Sequence, residues 1–144
     1  INENHLTLRT SVIGPELKTD GEELFHWFMS QTGKINGYTK AIWSGVTTLM
    51  LAKVIDWAIE HNITGLYHVT NNKSIDKYSL LSLIKKYTKK DILINPINGR
   101  ELNKSFIDTR KELDFAIPDY EIMVKEMAQM MKQNENLYKQ YNLS

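Results

Sequence analysis

His5-Leu6-Thr7-Leu8-Arg9-Thr10-Ser11-Val12-Ile13-Gly14-Pro15 alternates apolar and polar residues over His5 to Val12 and is halted by Gly14-Pro15, so it predicts a strand running into a loop. A second β-rich run, Gly65-Leu66-Tyr67-His68-Val69-Thr70, follows a periodic segment that predicts a helix capped by Thr47 and closed by His61-Asn62. The helix's apolar stripe is read at Leu49, Ala52, Val54, Ile55, Ala58 and Ile59. Strand, helix and strand in this order predict a right-handed crossover, with the two strands as parallel neighbours.

Working outward, Asp20-Gly21-Glu22-Glu23 predicts the cap and acidic first turn of a helix through Leu24, Phe25, Trp27, Phe28 and Met29, ending at Gly33. Residues 33–45, GKINGYTKAIWSG, read as one or two short strands and turns, and as the place for a ligand-facing loop. Ser74 is the expected cap of a helix with Tyr78, Leu80, Leu81, Leu83 and Ile84 on its inner side. Ile92 to Ile94 predicts a strand and Asn98-Gly99 a turn. Thr109 is read as capping a helical turn through Leu113, and Pro118-Asp119 as opening the last helix. The order is α/β. One unit over residues 1–144 is expected, with residues 134–144 frayed.

With 42% apolar residues, 24% charged residues and net charge +1, the composition is that of a globular chain and carries no global signature of nucleic-acid binding. No apolar run approaches the roughly 18 residues that span a bilayer, and no leader is signalled, so no membrane partner and a cytoplasmic location are expected. Zero cysteines exclude disulfides, thiolate metal sites and a cysteine nucleophile. His5, His26, His61 and His68 lack metal-site spacing. Lys85, Lys86, Lys89 and Lys90 complement a helix C-terminus, with only Tyr87 interleaved, and read as a solvated face. The Asn62 and Asn72 N-x-S/T triplets read as chance.

LRTSVIGPEL, GLYHVTN and LNKSFIDTRKELDF, in this order, resemble the back half of the extended short-chain dehydrogenase/reductases that act on nucleotide sugars, nearest to the dTDP-4-dehydrorhamnose reductases. The resemblance implies the C-terminal portion of an NAD(P)-binding Rossmann-type fold, with a small parallel sheet, several helices and a substrate-binding subdomain. It implies a function in reducing a 4-keto deoxysugar by hydride transfer from NAD(P), with the cofactor-binding half lying upstream of Ile1. Cofactor contacts are implied for Thr10, Ser11 and Val12, after the family's sixth strand, although Val12 stands where those reductases often carry a Trp.

The family's Tyr-x-x-x-Lys pair, in which the Lys charge lowers the Tyr pKa for proton donation, does not occur in this sequence, nor does the Gly-rich turn that cradles pyrophosphate. The chain by itself is therefore expected to be inactive and to hold no cofactor tightly. Lys18 is a candidate contact for the nucleotide-sugar diphosphate, and Phe25, Trp27 and Trp43 are candidate stacking surfaces, with core packing weighed above stacking for the first two. For Arg9, a structural ion pair or carbonyl contact is weighed above substrate binding. The expected partners are a nucleotide-sugar substrate and either the N-terminal half or a second copy of the chain. An epimerase or dehydratase fragment and a non-catalytic module binding through residues 33–45 are the competing readings.

Overall fold

The computed structural model describes residues 4–109 and 114–143. β1 (Leu6–Arg9) pairs in parallel with β6 (Gly65–His68), with Leu6 opposite Gly65 and Arg9 opposite His68. β2 (Val12–Ile13) pairs in parallel with β5 (Val46–Thr47). The single strand expected over His5 to Val12 is thus two. Thr10 and Ser11 leave the first ladder because their polar groups find other partners: the Thr10 hydroxyl donates to Val69 O, and Ser11 O accepts from Val46 N.

Residues 33–45 hold β3 (Lys34–Tyr38) and β4 (Ala41–Trp43). β3 pairs in parallel with β8 (Leu93–Ile97), whereas β4 lies between β7 (Ile75–Asp76), antiparallel to it, and β9 (Leu102–Lys104), parallel to it. The segment is therefore framework, with Ile35 and Gly37 buried on its inner face.

α1 (Leu24–Ser30) starts later than its sequence suggests, with Glu23 in the cap position. The acidic group that serves it comes from further back, since Glu16 Oε1 accepts from Glu23 N at 2.9 Å. The helix also stops earlier, at Ser30, and Gly33, with φ +69°, makes the left-handed turn into β3.

α2 (Thr48–Glu60) has the expected Thr47 cap, whose hydroxyl accepts from Met50 N at 3.2 Å. Its buried face, however, is Met50, Val54 and Ala58, while Ala52, Ile55 and Ile59 are exposed. The helix carries apolar residues on two stripes, and periodicity alone did not separate them. α3 (Lys77–Thr88) is capped by Asp76 rather than Ser74; Asp76 Oδ1 accepts from Ser79 N at 2.9 Å. α4 (Tyr120–Gln133) opens after Asp119, as Pro118-Asp119 predicts. The helical turn expected from Thr109 through Leu113 falls on residues 110–113, outside those described.

Two apolar clusters form the core. One joins Phe25 and Phe28 of α1, Leu80, Leu81 and Ile84 of α3, and Val124, Met127 and Met131 of α4. The other joins Val46, Met50, Val54 and Val69 to Tyr120 and Met123, with Leu8 of β1 packed against it. Trp43, Ile75 and Leu83 touch both clusters. Residues 134–143 are not frayed: Tyr138 and Tyr141 are buried in the first cluster, and Gln140 and Tyr141 bond to Glu16. Burial of two aromatic rings outweighs the polar composition that suggested a loose tail. Among the described residues, no helix is long and apolar enough to cross a membrane, and no group of three metal-ligating side chains converges.

Candidate functional site

Parallel strands end together, and the crevice beyond their carboxyl ends is where open α/β sheets place ligands. Here β1 and β6 end at Arg9 and His68, and a cleft of about 360 Å³ opens there, lined by Leu8, Arg9, Thr10, Ser11, His68 and Phe106. Two further grooves share the His68 wall. One adds Leu66, Asp108 and Thr109, and the other runs past Thr70, Asn71 and Asn72 to Phe115 and Ile117.

The loop after β1 is held tightly. Thr10 Oγ1 donates to Val69 O at 2.8 Å, which commits its proton to the framework. Ser11 is fixed through its carbonyl, whereas its hydroxyl has no hydrogen-bond partner among the described residues. Gly45 makes the close approach possible: a Cβ there would lie 2.1 Å from Ser11 O and 2.5 Å from Trp43 Cζ2. Val12 follows with 46% of its surface exposed.

The opposite wall is set by His68 and Phe106. His68 Nδ1 lies 3.3 Å from Ile107 O, a contact that requires the proton on Nδ1; in the neutral ring this makes Nε2 the acceptor. Phe106 meets the imidazole edge-on at 5.9 Å. Its own backbone is anchored on buried Ser44, whose hydroxyl accepts from Phe106 N at 2.8 Å and donates to Phe106 O at 3.2 Å. Arg9 is exposed, and its guanidinium makes no ion pair or hydrogen bond among the described residues, so the structural contact expected for it is absent. The cleft therefore presents a fixed positive charge and a hydroxyl beside an acceptor nitrogen, a mixed set suited to an anionic ligand that also carries hydroxyl groups.

Thr10 and Ser11 form the link between β1 and β2, Val12 opens β2, and Gly45 brings Trp43 beside Ser11. Trp43 is half-buried, its ring 5.9 Å from that of Tyr120, and it spans the two core clusters. Phe25 is a correction. It is fully buried, edge-on to Tyr141 at 5.5 Å, so its ring offers no face to a ligand; Trp27, two residues on, is the exposed aromatic of α1. Lys18 stands in solvent, 3.8 Å from Oε2 of the partly buried Glu16, a long contact that holds it weakly. Phe106 and Asp108 were not singled out from the sequence. Phe106 reaches the cleft, and Asp108 the adjoining grooves, from a segment remote along the chain, and only the convergence of strand ends marks the place.

No family model and no curated protein matches the chain. Solved structures do. The dTDP-4-dehydrorhamnose reductase of Bacillus anthracis str. Ames, in complex with NADP, is 18% identical, with a TM-score of 0.68 over 85% of this chain and 47% of its own. The dTDP-4-dehydrorhamnose reductase of Yersinia enterocolitica is 16% identical, also with a TM-score of 0.68, over 87% of this chain and 49% of its own. The UDP-N-acetylglucosamine 4-epimerase of Methanobrevibacter ruminantium M1, in complex with UDP-N-acetylmuramic acid, gives 18%, 0.62, 90% and 47% respectively. The chain spans about half the length of these structures. Across that span it has the α/β fold of the NAD(P)-binding, Rossmann-type extended short-chain dehydrogenase/reductases.

Proposed function

We propose that this chain is the C-terminal, substrate-binding portion of an NAD(P)-dependent sugar-nucleotide reductase of nucleotide-sugar or surface-polysaccharide biosynthesis. The observation that carries the reading is the cleft at the carboxyl ends of the parallel β1–β6 pair, in a fold shared with reductases of a dTDP-sugar. Ser11 and Val12 fit the nicotinamide end of a cofactor, since a free hydroxyl suits a carboxamide and an exposed apolar side chain suits a ring face. The bound cofactor supplies the hydride.

This chain's own residues bind and orient. Arg9 supplies positive charge at the mouth of the cleft, His68 supplies an acceptor nitrogen, and Lys18 and Trp43 serve the diphosphate and the sugar or base. Proton donation to the substrate oxygen falls to a Tyr-x-x-x-Lys pair on the N-terminal half, which also brings the pyrophosphate turn. That half, or a second copy of the chain, covers the exposed Ile55 and Ile59 of α2. The epimerase relatives share the fold over as much of the chain, and a 4-epimerase portion would use the same cleft.

Calorimetric titration with dTDP and UDP tests the binding role. Weak binding that is lost in Arg9→Ala or Lys18→Ala supports it. Reductase turnover by the chain alone, with NADH or NADPH and a 4-keto nucleotide sugar, would overturn it.

A further inference from the structure

The loop between β2 and α1, residues 14–23, contains no strand or helix, yet it is fastened at one residue to the far end of the chain. Gln140 Nε2 donates to Glu16 O at 2.6 Å, and Glu16 N donates to the Tyr141 hydroxyl at 3.0 Å. The same hydroxyl lies 3.0 Å from His26 Nδ1 of α1. Tyr141 is itself anchored, with 6% of its surface exposed and its ring edge-on to both Phe25 and His26 at 5.5 Å.

Glu16 passes this restraint on in two directions. Its Oε1 accepts from Glu23 N, at the start of α1, and its Oε2 lies 3.8 Å from Lys18 Nζ. A loop without a ladder of its own is ordered only by such bonds, and each removes conformational freedom that the loop would otherwise keep.

We propose that Gln140 and Tyr141 form a C-terminal hook that positions the 14–23 loop, and with it Lys18, for the ligand. Lys18's role as a phosphate contact rests on the function proposed above; the hook itself does not. Tyr141 is here a positioning residue, acting through Glu16.

Amide exchange on the 144-residue chain tests the hook. Tyr141→Phe keeps the ring and removes the hydroxyl, and a form ending at Lys139 removes both hook residues. Exchange at Glu16 and Glu23 is expected to rise roughly tenfold in Tyr141→Phe and further in the shortened form, with the central amides of α4 unchanged. Unchanged exchange at Glu16 and Glu23 in both forms overturns the hook. Titration with dTDP then reads the link to Lys18. If Tyr141 acts through that loop, the double variant Tyr141→Phe/Lys18→Ala binds no more weakly than Lys18→Ala, whereas additive losses overturn the link. Absence of dTDP binding in the unaltered chain would instead defeat the nucleotide reading, leaving the exchange result to judge the hook.

Discussion

The Thr10 hydroxyl, just past the end of β1, donates to the carbonyl oxygen of Val69, just past the end of β6, at 2.8 Å. This bond closes the framework behind the cleft at the point where the chain leaves one parallel pair for the other. Thr10→Val keeps the branched shape, removes the donor and leaves a carbonyl unpaired at a fully buried residue. A loss of about 1–2 kcal/mol in unfolding free energy is expected by denaturant titration, with faster exchange at the Val69 amide.

Gly45 permits the other half of that junction. A methyl group there would sit 2.1 Å from Ser11 O, and the obstacle is backbone rather than a flexible side chain. Gly45→Ala is expected to cost about 2 kcal/mol or more and to expose the Val46 amide, which bonds to Ser11 O at 3.0 Å. The same variant moves Ser11, so it is expected to perturb the cleft beyond β1 more than Trp43→Phe does, read as faster exchange at the Val46 amide.

The sequence reading extended to the β1–β6 parallel pair, the Thr47 cap and the start of α4, because alternation, a capping hydroxyl and Pro-Asp are local signals. It did not extend to Asp76 as a cap, because Ile75–Asp76 is also a strand, β7, that only β4 specifies. Nor did it reveal the docked tail, since Tyr138 and Tyr141 are two rings in a polar segment, and only Phe25 and Glu16, more than a hundred residues away, give them partners. At the cleft, Thr10 and Ser11 are reached from the sequence only through the family resemblance, whereas Phe106, and Asp108 in the adjoining grooves, depend on tertiary contact with Ser44 and Asn72.

α2 shows the limit of periodicity most sharply, and it yields a test. Met50, Val54 and Ala58 face the core, while Ile55 and Ile59 are 41% and 70% exposed. Ile59→Ala is therefore expected to change stability by no more than about 0.5 kcal/mol, whereas Met127→Ala, which empties a fully buried site, is expected to cost about 2–5 kcal/mol.

The exposed α2 stripe also predicts behaviour in solution. Light scattering of the isolated chain is expected to show self-association that Ile55→Lys/Ile59→Lys abolishes, because apolar side chains clustered on one exposed helix face favour burial against another surface. A monomer at all concentrations in the unaltered chain would count against this stripe as a covered face.

Tyr120 links α4 to the loop after β6, its hydroxyl donating to Lys73 O at 2.7 Å. Burial pushes its phenol pKa up, as it does that of Tyr141. The folded chain thus keeps these protons to higher pH than the unfolded chain, whose tyrosines titrate near 10.0. The stability this contributes is fully present below that value and is lost as pH rises through the folded-state pKa values. The share of tyrosinate absorbance that belongs to Tyr120 and Tyr141 is expected to appear late and to accompany unfolding. Tyr120→Phe, lacking both the titration and the bond to Lys73, is expected to be about 1 kcal/mol less stable at neutral pH and to decline less steeply above pH 10.0. An unchanged alkaline slope in that variant would assign the alkaline loss to Tyr141 and other groups.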